Sequence, residues 1–231
     1  MHKKRFLLFV LLYLTCFNVQ VFAQSETQNS DYEEAMNTLV GLNIIEMDEL
    51  EYFLADEPVT RGEFSSYAVK IMGLDNAMDS SEKGGSSYDD VPKEHPYAAA
   101  VELVSQSKIM EGYGNRIFGI DDLVTFNQAV KIFVCILGYD VEAKTKGGFP
   151  TGYYTVAQQK GLLKNVSSND KKFIKQDMAI MLYNSLDIAI LLPESYGEST
   201  TYSKDKNKTL LTERMKIYKG TGQVPANTYT G

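Results

Sequence analysis

Two stretches of the chain decide its fold: VTRGEFSSYAVKIMG at residues 59–73 and VTFNQAVKIFVCILG at residues 124–138. In both, a threonine stands three residues before a Glu or a Gln, which is the capping box that begins an α-helix. Apolar residues then recur at spacings of three and four, a pattern that predicts one buried helix face. A glycine ends each stretch, where a left-handed helix C-cap favours that residue. Each stretch is therefore predicted to be an amphipathic helix.

The two helices belong to a longer internal repeat. Shifting the chain by 65 residues onto itself gives 11 identities over residues 32–74, against about 2–3 expected from average residue usage. The predicted copies span residues 28–74 and residues 86–139. A third and more divergent copy is predicted at residues 147–190, where Ile174 replaces the capping threonine.

Each copy is predicted to be a helix–loop–helix unit, with first helices at residues 32–42, 96–107 and 153–160. A pair of short amphipathic helices cannot bury its apolar faces alone. The predicted fold class is therefore all-α, with the three copies packed as one pseudo-threefold module. Residues 193–231 are predicted to be a linker and the start of a following β-rich unit, because Met215-Lys216-Ile217-Tyr218 alternates in character.

Residues 1–23 are typical of a cleaved secretory signal peptide. A basic start precedes an apolar run at residues 6–17, and Ala23 ends a plausible cleavage site. A permanent membrane anchor is the alternative, but the run is shorter than the roughly 20 residues that span a bilayer. A lipoprotein site at Cys16 is disfavoured by the bulky Tyr13. We expect a secreted protein with no membrane span after cleavage.

The remaining chain is acidic. Of the 23 Lys and Arg residues, three precede residue 24, whereas all 30 Asp and Glu residues follow it. Such a surface does not attract nucleic acids or anionic membranes over long range. An anionic ligand therefore requires a locally basic pocket. Cys135 is then the lone cysteine, and its apolar neighbours predict a buried thiol that packs as a small hydrophobic group.

Copies one and two carry several short motifs: YDDVP at residues 88–92, HPY at residues 95–97, IMEGYGNRIF at residues 109–118, and VTRGEF at residues 59–64. Together they resemble the S-layer homology (SLH) repeat. The resemblance covers about residues 32–190. It implies a helical three-repeat module at the bacterial cell surface, in a cell wall of the Gram-positive type.

The resemblance implies binding to a secondary cell-wall polymer or another peptidoglycan-linked anionic glycan, often of the pyruvylated class, with surface-layer proteins as further partners. In that family the motif arginine lies in a groove, a position that corresponds here to Arg61. A guanidinium matches a carboxylate in two parallel hydrogen bonds, which the ammonium of Lys175 in copy three cannot form. Copy two has Phe126 at that position. Arg116, Tyr97 and Tyr113 complete the candidate ligand-binding residues.

Structural roles compete with each of these assignments. Arg61 is also interpreted as a solvated residue of the first helical turn, in which case its removal leaves thermal stability almost unchanged. Tyr97 and Tyr113 are also interpreted as packing residues. His95 is interpreted as a packing or capping residue.

Two other functions compete with wall anchoring. A glycan hydrolase requires two positioned carboxylates, and acids such as Asp48, Glu49 and Asp121 are available but stand in no recognisable catalytic frame. The sequence contains no zinc motif, nucleophile elbow or phosphate loop, so it predicts a non-catalytic protein without metal or cofactor. The second alternative is a scaffold for protein–protein or S-layer assembly that has lost polymer binding. The loss of the motif arginine in two copies favours that alternative.

Overall fold

The computed structural model describes residues 30–81, 87–167, 173–192 and 205–218, and these residues are mainly helical. The predicted all-α class is confirmed. The α-helices, in chain order, are α1 (30–41), α2 (Arg61–Ile71), α3 (Asp75–Ser81), α4 (Ala98–Gln106), α5 (Phe126–Ile136), α6 (Asp140–Thr145), α7 (Thr151–Lys160) and α8 (Lys175–Leu186). A short 3₁₀-helix at Glu49–Glu51 and a π-helical turn at Leu210–Arg214 complete the helical elements of this part of the chain.

The predicted helix signals function as expected at both ends of α2 and α5. Thr60 and Thr125 each accept a hydrogen bond from the backbone of the residue three positions on, and both capping boxes are complete. Such caps satisfy backbone N–H groups that have no partner within the helix. Gly73 and Gly138 adopt φ angles of 65° and 84°, the left-handed conformation in which glycine carries no steric cost.

The copies are joined by matching backbone hydrogen bonds just before their second helices. Val124 donates to the Val59 carbonyl at 2.9 Å, and Val59 in turn donates to the Phe173 carbonyl at 3.4 Å. The first turns of α2 and α8 are held in equivalent ways, since Arg61 N–H donates to Asp122 and Lys175 N–H donates to Glu57. Asp122 and Glu57 are 65 residues apart, so the repeat in the sequence is also a repeat in the contacts between copies.

The helices of neighbouring copies pack in the same cyclic order. Helix α4 packs on α2, and α7 packs on α5. Helix α8 is linked to α1 by a hydrogen bond from the Tyr183 hydroxyl to Glu34. In the centre, the ring of Phe64 meets the rings of Phe133 and Phe173 at centroid distances of 5.5 and 5.8 Å. One side chain from each copy thus contributes to a single core, as the predicted cooperative packing requires.

The structure adds elements that the sequence did not predict. Helices α3 and α6 each follow the glycine that ends the second helix of a copy. The segment 205–218 returns to the body, where Leu210 and Leu211 are buried in the core. The predicted signal peptide lies outside the described residues, as do residues 193–204 and 219–231. Residues 215–218, on which the expected β-rich unit is based, form no strand, and a unit that begins beyond them stays a prediction. No helix within the described ranges is long and apolar enough to cross a membrane.

Candidate functional site

A groove lies between the first turn of α2 and the loop that precedes Phe118 in copy two. We call it the Arg61 groove. Its volume is about 630 Å³, and α5 and α6 contribute its far wall. It is lined by Arg61, Lys108, Ile109, Met110, Glu111, Gly112, Tyr113, Gln128, Lys131, Ile132, Cys135, Asp140, Lys144 and Tyr153. This volume falls within the range of small-ligand sites.

Arg61 forms the floor of the groove and is tied to copy two. Its Nε donates to the Phe118 carbonyl at 3.0 Å, and its Nη2 donates to the Glu111 carbonyl at 2.9 Å. Only 5% of the residue is exposed. The interpretation of Arg61 as a solvated first-turn residue is therefore wrong, because the side chain folds inward to bond carbonyls that are 50 and 57 positions away in sequence.

Two aromatic rings flank the same guanidinium. The Cζ atom of Arg61 lies 4.7 Å from the ring centroid of Tyr113 and 4.5 Å from that of Phe118. Both distances lie within the range of a cation–π interaction. Phe118 is fully buried, whereas Tyr113 is 58% exposed. Tyr113 therefore offers a ring face at the mouth of the groove, directly above the arginine.

The guanidinium retains donors that the protein does not use. Among the described residues, Nη1 has no hydrogen-bond partner, and no fully buried side-chain nitrogen or oxygen is unsatisfied. Since Arg61 lines the groove, the unused N–H groups are open to it. No carboxylate of the described chain lies within 4.0 Å of Arg61, Lys108 or Lys131. These three side chains thus bring positive charge to the groove without a carboxylate of the described residues within 4.0 Å.

The equivalent junction between copies three and one is different. Lys175 Nζ lies 3.2 Å from Glu57 and 3.2 Å from Glu63, and 5.9 Å from the ring of Phe53. Burial lowers the pKa of Lys175, but the two carboxylates outweigh it and raise the pKa above its ordinary value. Phe53 and Phe118 are 65 residues apart, so both junctions place an aromatic ring beside the motif cation. Only at the Lys175 junction is that cation paired with carboxylates. The pocket there is about 330 Å³ and is lined by more acids than bases.

The third motif position offers no cation. Phe126 is buried, with its ring centroid 6.5 Å from that of Phe173. It packs into the core between copies two and three. A phenyl ring cannot donate a hydrogen bond to an anion, so this position contributes stability rather than a contact to a charged ligand.

The other residues singled out from the sequence lie outside the Arg61 groove. Tyr97 is half-buried and lines the Lys175 pocket rather than the Arg61 groove. Arg116 lies on the exposed copy-two loop, where its Nε donates to Asp89 at 2.7 Å, and it lines neither site. His95 accepts a hydrogen bond from the Tyr97 backbone N–H at 3.3 Å, a capping role that agrees with its interpretation. The structure therefore brings Arg61 together with Tyr113 and separates them from the other candidates.

The wall opposite Arg61 contains a cluster that the sequence did not predict. Asp140 accepts hydrogen bonds from Tyr153 and Cys135, and it pairs with Lys144 at 2.6 Å. Cys135 is half-buried at this wall rather than fully buried. Burial and the nearby Asp140 raise the pKa of its thiol to about 12. Asp140 comes directly after Gly138 and Tyr139, at the end of a repeated helix. This position is the sequence signal that could have indicated the cluster.

Comparisons with known proteins agree with the repeat. The S-layer homology domain family matches residues 27–65 and 87–130, which lie within copies one and two. The middle cell wall protein of Brevibacillus brevis is 24% identical over 189 residues, which cover 82% of this chain and 18% of that protein. The surface layer protein of Brevibacillus choshinensis is 26% identical over 165 residues, covering 71% of this chain and 14% of that protein.

A third relative, the cell surface protein of Thermoanaerobacter kivui, is 25% identical over 165 residues, which cover 71% of this chain and 21% of that protein. The chain therefore spans about a fifth or less of the length of these relatives. The family match falls on the capping box of α2, on the Arg61 position and on most of the copy-two loop. These matches identify residues 27–65 and 87–130 as S-layer homology repeats, and the relatives over the longer range are proteins of bacterial cell walls and cell surfaces.

Proposed function

We propose that the chain is a non-catalytic module that anchors a secreted protein to the bacterial cell wall, and that the Arg61 groove binds the anionic wall polymer. The observation that carries this proposal is the guanidinium of Arg61, which has unused donors facing a groove and, among the described residues, no carboxylate within 4.0 Å. A carboxylate on a sugar, as in the pyruvylated class, would accept two parallel hydrogen bonds from such a group.

The charge distribution supports an anionic ligand at this groove. The whole chain has a formal net charge of −7, so it offers no general attraction to anions. The groove nevertheless has Arg61, Lys108, Lys131 and Lys144 in its lining, against the two acids Glu111 and Asp140. A polymer of repeated negative charge would therefore associate with this locally basic surface.

The aromatic ring above Arg61 supports a sugar as the unit that carries the charge. Tyr113 is exposed at the mouth of the groove with its ring 4.7 Å from the guanidinium. A pyranose has an apolar face that an aromatic ring covers well, while its hydroxyl and carboxylate groups remain available to polar partners. The combination fits an acidic glycan better than a small inorganic anion.

The Lys175 pocket is a weaker candidate for the same ligand. Its ammonium is already held by Glu57 and Glu63. An incoming carboxylate would have to displace or approach those two negative groups, which costs free energy. We therefore propose one anion-binding groove in the described part of the chain rather than three equivalent ones.

Co-sedimentation with purified cell walls tests this function. The chain without residues 1–23 should pellet with native walls, and removing the secondary polymer chemically should abolish most of that binding. Soluble polymer released by the same treatment should compete. Equal binding to native and stripped walls would refute the polymer as the ligand and would favour a scaffold role.

A further inference from the structure

The loop at residues 47–54 of copy one exposes an unusual amount of apolar surface. Met47 is 74% exposed, Tyr52 73%, Leu54 55% and Leu50 38%. Single exposed apolar residues are normal, but several within eight residues form a patch of the kind that marks an interaction site. None of the four contributes to the core of its own copy, so folding alone does not account for them.

Comparison with copy two shows that the patch is larger in copy one, because the equivalent residues 112–119 expose only Tyr113 and Ile117 as large apolar side chains, at 58% and 40%. Both loops end on an aromatic ring beneath the motif cation, Phe53 in one case and Phe118 in the other. At positions 65 residues apart, Met47 replaces Gly112, Leu50 replaces Asn115, Glu51 replaces Arg116 and Tyr52 replaces Ile117. Copy one thus has Met47 and Leu50 where copy two has a small or polar residue, and Glu51 where copy two has a basic one. The local backbone also differs, with a 3₁₀-helix at Glu49–Glu51 in copy one and a bridge between Gly114 and Ile117 in copy two.

The chain carries a surface that complements this loop. The apolar side chains of residues 47–54 alternate with the exposed acids Asp48 and Glu51. The Arg61 groove combines the cations Arg61, Lys108 and Lys131 with the half-buried side chain of Ile109 and the exposed ring of Tyr113. Apolar centres with charges of opposite sign around them are the features by which protein surfaces recognise each other.

We infer that the 47–54 loop of one molecule docks in the Arg61 groove of a second copy. The two surfaces lie on different parts of the molecule, so the contact is heterologous and generates chains of molecules rather than closed dimers. A single loop buries less than the roughly 1,200 Å² of a stable complex, so the association is weak and dependent on concentration. The glycan and a second copy would compete for the groove. Self-association itself does not depend on glycan binding.

Sedimentation velocity of the chain without residues 1–23, in the absence of any glycan, tests this contact. The weight-average sedimentation coefficient should rise with protein concentration at low salt. It should fall towards the monomer value in about 0.5 M NaCl, where charges separated by more than a few ångströms are screened. Glu51→Lys and Lys131→Glu should each abolish association. Glu51→Lys lowers the net negative charge of the molecule, so general repulsion cannot explain that loss.

Mixing the two variants gives the sharpest result. The unchanged loop of Lys131→Glu fits the unchanged groove of Glu51→Lys, and the two altered surfaces also have opposite charges. An equimolar mixture should therefore associate although neither variant does so alone. Lys206→Glu is the matched control, because it lines neither surface and should associate like the parent. Thermal melting of each variant verifies its fold.

A parent that stays monomeric at all concentrations would overturn the inference, as would a mixture of the two variants that fails to associate. Association that survives both charge reversals would place the contact elsewhere. Because the measurement contains no wall polymer, its failure would leave glycan binding unaffected. If the chain self-associates but does not bind cell walls, the proposed function fails and this contact stands.

Discussion

The Lys175 ammonium lies 3.2 Å from the carboxylate of Glu63, across the junction between copies three and one. Arg61 stands two residues before Glu63 in the same helical turn, yet no described carboxylate lies within 4.0 Å of it. One turn of α2 thus contributes a neutralising acid to one pocket and an unneutralised cation to the next. This difference is why the two junctions, although built on the same repeat, are proposed to differ in anion binding.

Arg61 should also stabilise the fold. Arg61→Ala removes two charge-assisted hydrogen bonds and leaves the Phe118 and Glu111 carbonyls without their donors. We expect the free energy of unfolding to fall by about 2–4 kcal/mol. Thermal melting measures this, with Arg116→Ala as the control. Arg116 makes an exposed ion pair with Asp89, which contributes at most about 1 kcal/mol. Equal melting temperatures for the two variants would contradict the structural role of Arg61.

Phe64 should make the three copies one cooperative unit. Its ring meets Phe133 of copy two and Phe173 of copy three. Phe64→Ala should cost about 3–5 kcal/mol and lower the stability of the whole molecule in a single transition. Tyr218→Ala, at a position that is 71% exposed, should change the free energy of unfolding by less than about 0.5 kcal/mol. A melting curve for Phe64→Ala with separate transitions would indicate that the copies fold independently.

Gly138 should tolerate no side chain, because of its backbone conformation and because of the close approach of Leu191. Gly161 shares the first of these features but not the second, so it serves as the control. Gly138 and Gly161 have similar φ angles of 84° and 82°. A Cβ at residue 138 would overlap the Leu191 carbonyl oxygen, whereas one at residue 161 meets nothing within 4 Å. Gly161→Ala should cost about 1–2 kcal/mol from backbone strain alone. Gly138→Ala should cost clearly more in urea unfolding, and equal costs would contradict the close approach of the segment around Leu191.

Much of this fold could be predicted from local sequence signals. The capping boxes at Thr60 and Thr125 and the glycines at residues 73 and 138 act within a few residues of themselves, and the structure confirms them. The inward turn of Arg61 could not be predicted, because its partners lie in another copy. The neutralisation of Lys175 by Glu57 also escaped prediction, since the two residues are 118 positions apart.

The helices that follow the repeated glycines were also not predicted from the sequence. Helix α6 begins at Asp140 without a side-chain cap, so the capping box that marks the starts of α2 and α5 is absent there. It is nevertheless essential to the site, because it places Asp140 and Lys144 on the wall facing Arg61. The groove is therefore a product of tertiary packing among copies one, two and three, and the sequence alone indicated only Arg61 and Tyr113 within it.

Cys135 should be unreactive at neutral pH despite its place at the groove wall. Burial and Asp140 raise the pKa of the thiol to about 12, so only about one molecule in 10⁴ carries a thiolate at pH 8. Reaction of the chain without residues 1–23 with a disulfide reagent should be very slow at pH 8 and should accelerate as the pH rises, over the range in which circular dichroism shows the chain to be folded. Asp140→Asn should increase the rate at pH 8, because it removes a negative charge that opposes the thiolate. Rapid labelling of the folded parent at pH 8 would contradict the burial of this thiol.

The dissociation constant for native cell walls, compared between Arg61→Ala and Lys175→Ala, tests the central claim most directly. It is measured by co-sedimentation well below the melting temperature of each variant, with circular dichroism to verify the fold. A charge-assisted hydrogen bond contributes about 1.5–3 kcal/mol, so Arg61→Ala should bind roughly 10- to 150-fold more weakly than the parent. Lys175→Ala should stay within about twofold, since Glu57 and Glu63 already hold that ammonium. If folded Arg61→Ala binds native walls as tightly as the parent, the Arg61 groove is not the polymer site.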